Sequence, residues 1–90
     1  MFKLARYEES VKLFTKAVGK HPTSVHHNNL GLAYYHINNL NEALIHFDKA
    51  LEFDSKDPNI FFNRGNVYLN QNHFENSRKN FDMAIEIQPR

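Results

Sequence analysis

Apolar residues recur at three- and four-residue spacing along most of the chain, in runs separated by proline or asparagine. Between Pro22 and Pro58, Leu30, Ala33, Tyr34 and Ile37 form one stripe; Leu40, Ala43, Leu44, Phe47, Ala50 and Leu51 form a second. That spacing places each set on one face of an α-helix. The first helix is predicted from Ser24 to Ile37 and the second up to Asp54. Asn38 is expected to end the first, because asparagine tolerates the left-handed conformation of a helix terminus. Asn39 is expected to cap the second, with Glu42 three residues on completing a capping box. The pattern restarts at Asp57, a good cap, and Pro58, suited to a first helical turn. Ile60, Phe61, Val67 and Tyr68 supply the next stripe, Asn72 repeats the role of Asn38, and Phe74, Ser77, Phe81, Ala84 and Ile85 make the last, ending at Gln88–Pro89. Tyr7, Ser10, Phe14, Ala17 and Val18 precede Pro22 as the second stripe precedes Pro58. The helix that should pair with them is expected to be mostly missing, with Met1 to Ala5 forming only its last turn.

The two stripe pairs are copies of one another. A step of 34 residues carries Asn29 to Asn63, Gly31 to Gly65, Tyr34 to Tyr68, Phe47 to Phe81 and Ala50 to Ala84. A fixed period of this length marks a repeat array, in which each helical hairpin buries its apolar face against its neighbours. The expected organisation is a single array: a partial unit over 1–22 and full units over 23–57 and 58–90. Glycine within a helix costs about 1 kcal/mol relative to alanine, so Gly31 and Gly65 need a reason. Close approach of two backbones supplies it. Ser10, Ala43 and Ser77 are the matching small residues on the second helices, and Ala17, Ala50 and Ala84 are placed where the next unit meets them.

Leu30-Gly31-x-x-Tyr34, Ala43-x-x-x-Phe47 and Ala50, then Gly65-x-x-Tyr68, Ser77-x-x-x-Phe81, Ala84 and Pro89, resemble tetratricopeptide repeats. Ser10-x-x-x-Phe14, Ala17 and Pro22 resemble the second half of a further one. Departures are His27 and Phe61 where the family usually has tryptophan, Arg64 in place of leucine before Gly65, and Ser55 in place of proline between the full units. The resemblance implies an all-α fold, an α-solenoid of antiparallel helix pairs forming a right-handed superhelix. It also implies that the first helix of each pair lines a concave groove that binds peptide or protein segments, without catalysis.

The face beside the core stripe presents Val25, Asn28, Asn29, Leu32 and His36 in the first full hairpin, and Asn59, Phe62, Asn63, Asn66 and Asn70 in the second. This neutral, amide-rich set is the candidate groove lining. An amide both donates and accepts hydrogen bonds, so Asn29 and Asn63, in equivalent slots, can pair with the main chain of an extended ligand. The plainer reading makes them solubilising residues of an exposed face. A groove that grips the terminal carboxylate of a chaperone needs cations; the relevant slots of the last unit hold Asn59 and Asn63 instead. A chaperone-tail grip therefore lacks its charge signature here, while a co-chaperone or substrate-recruiting segment of a larger assembly or enzyme stays as the alternative expectation.

Composition removes other classes. Lys plus Arg number 11 and Asp plus Glu 10, a net charge of +1, which gives no electrostatic footprint for nucleic acid or an anionic membrane. Lys12, Lys16 and Lys20 share one face of the first helix, read as solvated. Cysteine is absent, and none of the six histidines pairs at the four-residue spacing of a zinc helix motif. No nucleophile–base motif or phosphate loop stands out, so the expectation is no catalytic residue, no cofactor and no metal. An intracellular, cytoplasmic protein is the default. Partners are expected to be proteins or peptides, with no nucleic acid and no membrane. Self-association through uncapped ends is a further expectation, weighed against the chain being a piece of a longer array.

Overall fold

The computed structural model describes Phe2–Gln88, with side chains from Ala5 onward. It contains α1 (Phe2–Lys20), α2 (Ser24–His36), α3 (Leu40–Phe53), α4 (Pro58–Asn70) and α5 (Phe74–Ile87), with no strand among the described residues. The fold is an α-solenoid of antiparallel helix pairs, α2 with α3 and α4 with α5, with α1 packed against α2.

The turns show why the chain reverses where it does. Asn38 and Asn72 have φ of 66° and 63°, the left-handed region. At the first turn the Asn39 N–H donates to the Tyr34 carbonyl (2.9 Å) and the Asn38 N–H to the Tyr35 carbonyl (3.0 Å). At the second, His73 donates to Tyr68 (2.9 Å) and Asn72 to Leu69 (3.1 Å). Each pair of bonds satisfies carbonyls that the helix end leaves open. The same bonds explain a failed expectation. Asn39 occupies the N-cap position of α3, but its side chain makes no capping bond. A capping box needs the N-cap N–H for the acidic residue, and Tyr34 already holds that N–H. Glu42 lies instead 3.9 Å from His46 Nε2.

Asp57 does cap α4, accepting from the Asn59 N–H at 2.9 Å, with Pro58 in the first turn. Thr23, which the sequence reading passed over, caps α2 by accepting from the His26 N–H at 3.1 Å. The N-terminal segment also departs from expectation. Phe2–Ala5 do not form the last turn of a preceding helix; they continue α1 without a break. No proline, glycine or asparagine interrupts the sequence from Phe2 to Val18, so nothing there stops a helix. Met1, and Pro89 as the final boundary, lie outside the described residues.

Both hairpins are locked by a ring on bare backbone. A Cβ placed on Gly31 would lie 2.6 Å from Phe47 Cε1, and one on Gly65 would lie 2.6 Å from Phe81 Cε1. The glycines thus clear the space that the rings fill. Ala43 is fully buried at the crossing of the first hairpin. Its counterpart Ser77 is also buried, and its hydroxyl donates to the Gly65 carbonyl at 3.0 Å. The central core joins α3 to α4 through Ala43, Phe47, Ala50, Ile60 and Val67. Each large member contributes roughly 1.5–3 kcal/mol on burial.

Candidate functional site

The predicted lining residues lie along α2 and α4, and the structure pins these helices side by side. Asn63 Nδ2 donates to Asn28 Oδ1 at 3.0 Å, and Asn70 Nδ2 donates to the Tyr35 hydroxyl at 2.6 Å and to the Asn66 carbonyl at 3.0 Å. Asn28, Asn63 and Asn70 therefore help fasten one hairpin to the next. An amide has two N–H groups and two acceptor lone pairs, so Asn63 keeps hydrogen-bonding capacity beyond Asn28. Arg64, also on α4, crosses the same seam with its Nε 3.4 Å from Asp48 of α3.

Five of the remaining lining residues divide between two hollows. Asn29, Leu32 and His36 of α2, with Ala33, face Tyr7, Ser10 and Phe14 of α1 across a cleft of about 220 Å³. His36 stacks on Tyr7 with ring centroids 4.2 Å apart and planes 16° apart. This cleft combines an apolar floor with one amide and one imidazole at its edge, groups that can accept or donate to a main chain. Asn59 and Phe62 line a larger groove of about 370 Å³ with Pro58, Phe81, Ala84, Ile85 and Gln88. Val25 is exposed, and Asn66 is half-buried.

Two features escaped the sequence reading. Tyr35 receives Asn70 through its hydroxyl; as the neighbour of the core residue Tyr34 it gave no separate signal. His27, buried in the slot usually taken by tryptophan, meets His46 on α3 with Nδ1 atoms 3.2 Å apart. Their ring centroids are 5.4 Å apart and their planes nearly parallel at 19°, so the two nitrogens face each other between the rings. One Nδ1 must carry a proton and the other must not for this bond to form. Burial lowers the pKa of both, helped by Lys49 near His27 and by His27 itself near His46; Glu52 and Glu42 oppose the shift. Tyr34 and Phe53 stack against the pair. Among the described residues, no group of three or more histidine or acidic side chains could hold a metal ion, and no helix is long and apolar enough to cross a membrane.

Comparisons with known proteins agree with this architecture. A family model described as a TPR repeat matches residues 31–72, and one described as a tetratricopeptide repeat matches residues 58–90. The chain is similar to sperm-associated antigen 1 of Mus musculus, 26% identical over 83 residues that cover 92% of this chain and 9% of that protein. It is also similar to superkiller protein 3 of Schizosaccharomyces pombe, 30% identical over 64 residues that cover 71% of this chain and 5% of that protein. The chain therefore spans less than a tenth of the length of these relatives. Repeats of this kind are typically non-catalytic modules that bind proteins or peptides. With helical hairpins nested on glycine at a 34-residue step, and family matches spanning residues 31 to 90, the chain belongs to the tetratricopeptide-repeat family.

Proposed function

We propose that the chain is a scaffold or adaptor that holds an extended peptide or partner segment in a concave groove lined by α2 and α4, within one array of units 1–22, 23–57 and 58–90. The observation that carries this reading is the α1–α2 cleft, where Asn29, Leu32 and His36 stand over Tyr7, Ser10 and Phe14. It offers apolar contact for a ligand side chain, with an amide beside it for the ligand backbone. No lysine, arginine or acidic residue is among the ten proposed lining residues, so binding draws on main-chain hydrogen bonds and apolar contact and is insensitive to salt.

The test is a panel of arrayed unstructured peptides measured against the chain at low and high salt. Asn29→Ala with Asn63→Ala should weaken the binders by about ten-fold, near 1.4 kcal/mol, at both salt levels. Because Asn63 also bonds Asn28, Asn29→Ala alone is the companion variant that leaves the seam intact. Unchanged affinity in both variants rejects the amide-lined groove.

A second reading, a substrate-recruiting segment of a larger assembly, is supported by the small share of each relative that the chain covers. It predicts ligands with a terminal carboxylate and affinity that falls steeply with salt.

A further inference from the structure

The contact between His27 and His46 has a different geometry in each of its proton states. The Nδ1 atoms are 3.2 Å apart and the ring centroids 5.4 Å apart, so the nitrogens lie close to the line between the ring centres and meet head-on. A neutral pair holds one proton in that gap: one Nδ1–H donates and the other Nδ1 accepts. The first proton added from solvent has the outer nitrogen of the donor ring to bind. There it makes an imidazolium donor, and the bond persists with charge behind it. The second has only the accepting Nδ1. Two N–H groups then point at each other, the bond is gone, and two like charges face each other at a part-buried contact.

The surroundings decide the order. His46 Nε2 lies 3.9 Å from the Glu42 carboxylate, so His46 takes the first added proton and His27 accepts. Glu52 favours charge on His27, whereas Lys49 opposes it on both rings and His26 on His27. His26 is itself tied through Nδ1 to the His21 carbonyl at 2.8 Å. On the neighbouring helices, Lys16 and Lys20 of α1 are exposed, and Arg64 of α4 is paired with Asp48 at 3.4 Å. Phe53 and Tyr34 flank the two rings, so separating α2 from α3 is the direct way to part the nitrogens. Gly31, one turn after His27, is held under the Phe47 ring and makes a pivot. Asn28 lies on the His27 side of that pivot and accepts from Asn63 at 3.0 Å; Tyr35 lies beyond it and accepts from Asn70 at 2.6 Å. The second hairpin lacks the device. Phe61 and Asn80 stand in the equivalent positions, and the Asn80 amide donates to the Asn76 carbonyl at 2.8 Å.

We propose that the His27–His46 pair is a pH-operated latch of the first hairpin: it keeps its bond through the first added proton and parts on the second, and the swing of α2 about Gly31 then frees Asn63 from Asn28 and opens that end of the α2–α4 joint. The latch works on the chain alone, with no ligand. Burial lowers the pKa of both rings, so the parting falls on the acid side of the ordinary histidine range.

The test is a nuclear magnetic resonance titration of the ¹⁵N-labelled chain from pH 7.5 to about 4.5. The ring nitrogens of His27 and His46 should follow two shared steps, while the exposed His73 follows one. The Asn63 side-chain amide signals should move with the second step and those of Asn70 should not. The chain has no cysteine, so nitroxides on Val25→Cys and Asn59→Cys, both at exposed positions, report one distance. That distance should lengthen over the second step and return when the pH is restored, with helical circular dichroism kept throughout. Glu42→Gln should move the first step to lower pH. His27→Phe with His46→Asn should leave both the label distance and the Asn63 signals unchanged across the range, and His46→Asn alone should do the same should the double variant fail to fold. The proposal is overturned by two independent single-step titrations, by unmoved Asn63 signals in the parent, by lengthening that persists in His46→Asn, or by loss of helical signal at the pH where the labels part.

Discussion

At the scale of single residues, three glycines offer a controlled comparison. Gly31 and Gly65 lie beneath phenylalanine rings, whereas nothing stands within 4 Å of a Cβ built on Gly19. Alanine raises helix propensity by about 1 kcal/mol at any of these sites. Overpacking a core costs about 1–3 kcal/mol. Gly19→Ala should therefore raise the denaturation midpoint, while Gly31→Ala and Gly65→Ala lower it, each read by urea unfolding. Phe47→Leu made on top of Gly31→Ala should cost less than it does in the parent, because the smaller side chain relieves the clash; a strictly additive double variant contradicts the steric account. Asn38 and Asn72 give the complementary case. Their left-handed backbone is readily adopted by glycine and disfavoured by a plain β-carbon. Asn38→Ala should lose about 1 kcal/mol and Asn38→Gly little or nothing in the same urea assay.

At the scale of elements, the two hairpins share a backbone plan but differ in a part-buried imidazole contact between their helices. The first has the His27–His46 pair; the second has Phe61 and Asn80 in the equivalent positions. Both imidazoles have folded-state pKa values lowered chiefly by burial, with Lys49 and His26 acting in the same direction and Glu52 and Glu42 against it. The unfolded chain therefore binds more protons than the folded one as pH falls through the ordinary histidine range near 6.5. Stability conferred by the neutral pair is fully present above that pH and is lost below it. Thermal melts should show the midpoint falling between pH 7.5 and 5. His27→Phe with His46→Asn, which copies the second hairpin, should flatten that dependence. An equally steep fall in the double variant assigns the effect to other groups.

How much of this was legible in the sequence depended on whether the cause was local. The asparagine turns and the helical glycines were readable because each reflects a demand made by its own backbone or by a fixed repeat position. The Asp57 cap was readable for the same reason. The capping box at Asn39 was misjudged because its N–H had another claimant, Tyr34, five residues back. The His27–His46 contact and the Tyr35–Asn70 bond were hidden because they depend on how two helices are rotated and which rotamers they admit. The same reason separates the ten lining residues. Spacing assigns them to the same side of two helices, yet whether an amide points to a ligand or to the adjacent hairpin is decided by the seam.

At the scale of the whole molecule, the hairpins are coupled through one apolar cluster. Ile60 and Val67 of α4 enter the core of Ala43, Phe47 and Ala50. In a repeat array stability is close to a sum of unit and interface contributions. Ile60→Ala should cost about 2–5 kcal/mol and, more tellingly, loosen the coupling of the two units. Hydrogen exchange should then show α4–α5 opening at lower free energy than α2–α3, whereas in the parent chain the two are expected to open together. Equal protection in the variant means that the seam is not where cooperativity resides.

The two amide fasteners between α2 and α4 sit one heptad apart, at Asn63 and Asn70. Two pins on a common edge resist sliding but leave a pivot about the line that joins them. Exchanging one for a side chain a single methylene longer, Asn63→Gln, would swing that end outward while the aliphatic plug at Ile60 and Val67 stays in place. Curvature of the superhelix is thus expected to respond to point changes at its polar stitching while the oily interior keeps it folded, a shift that small-angle scattering of Asn63→Gln would register.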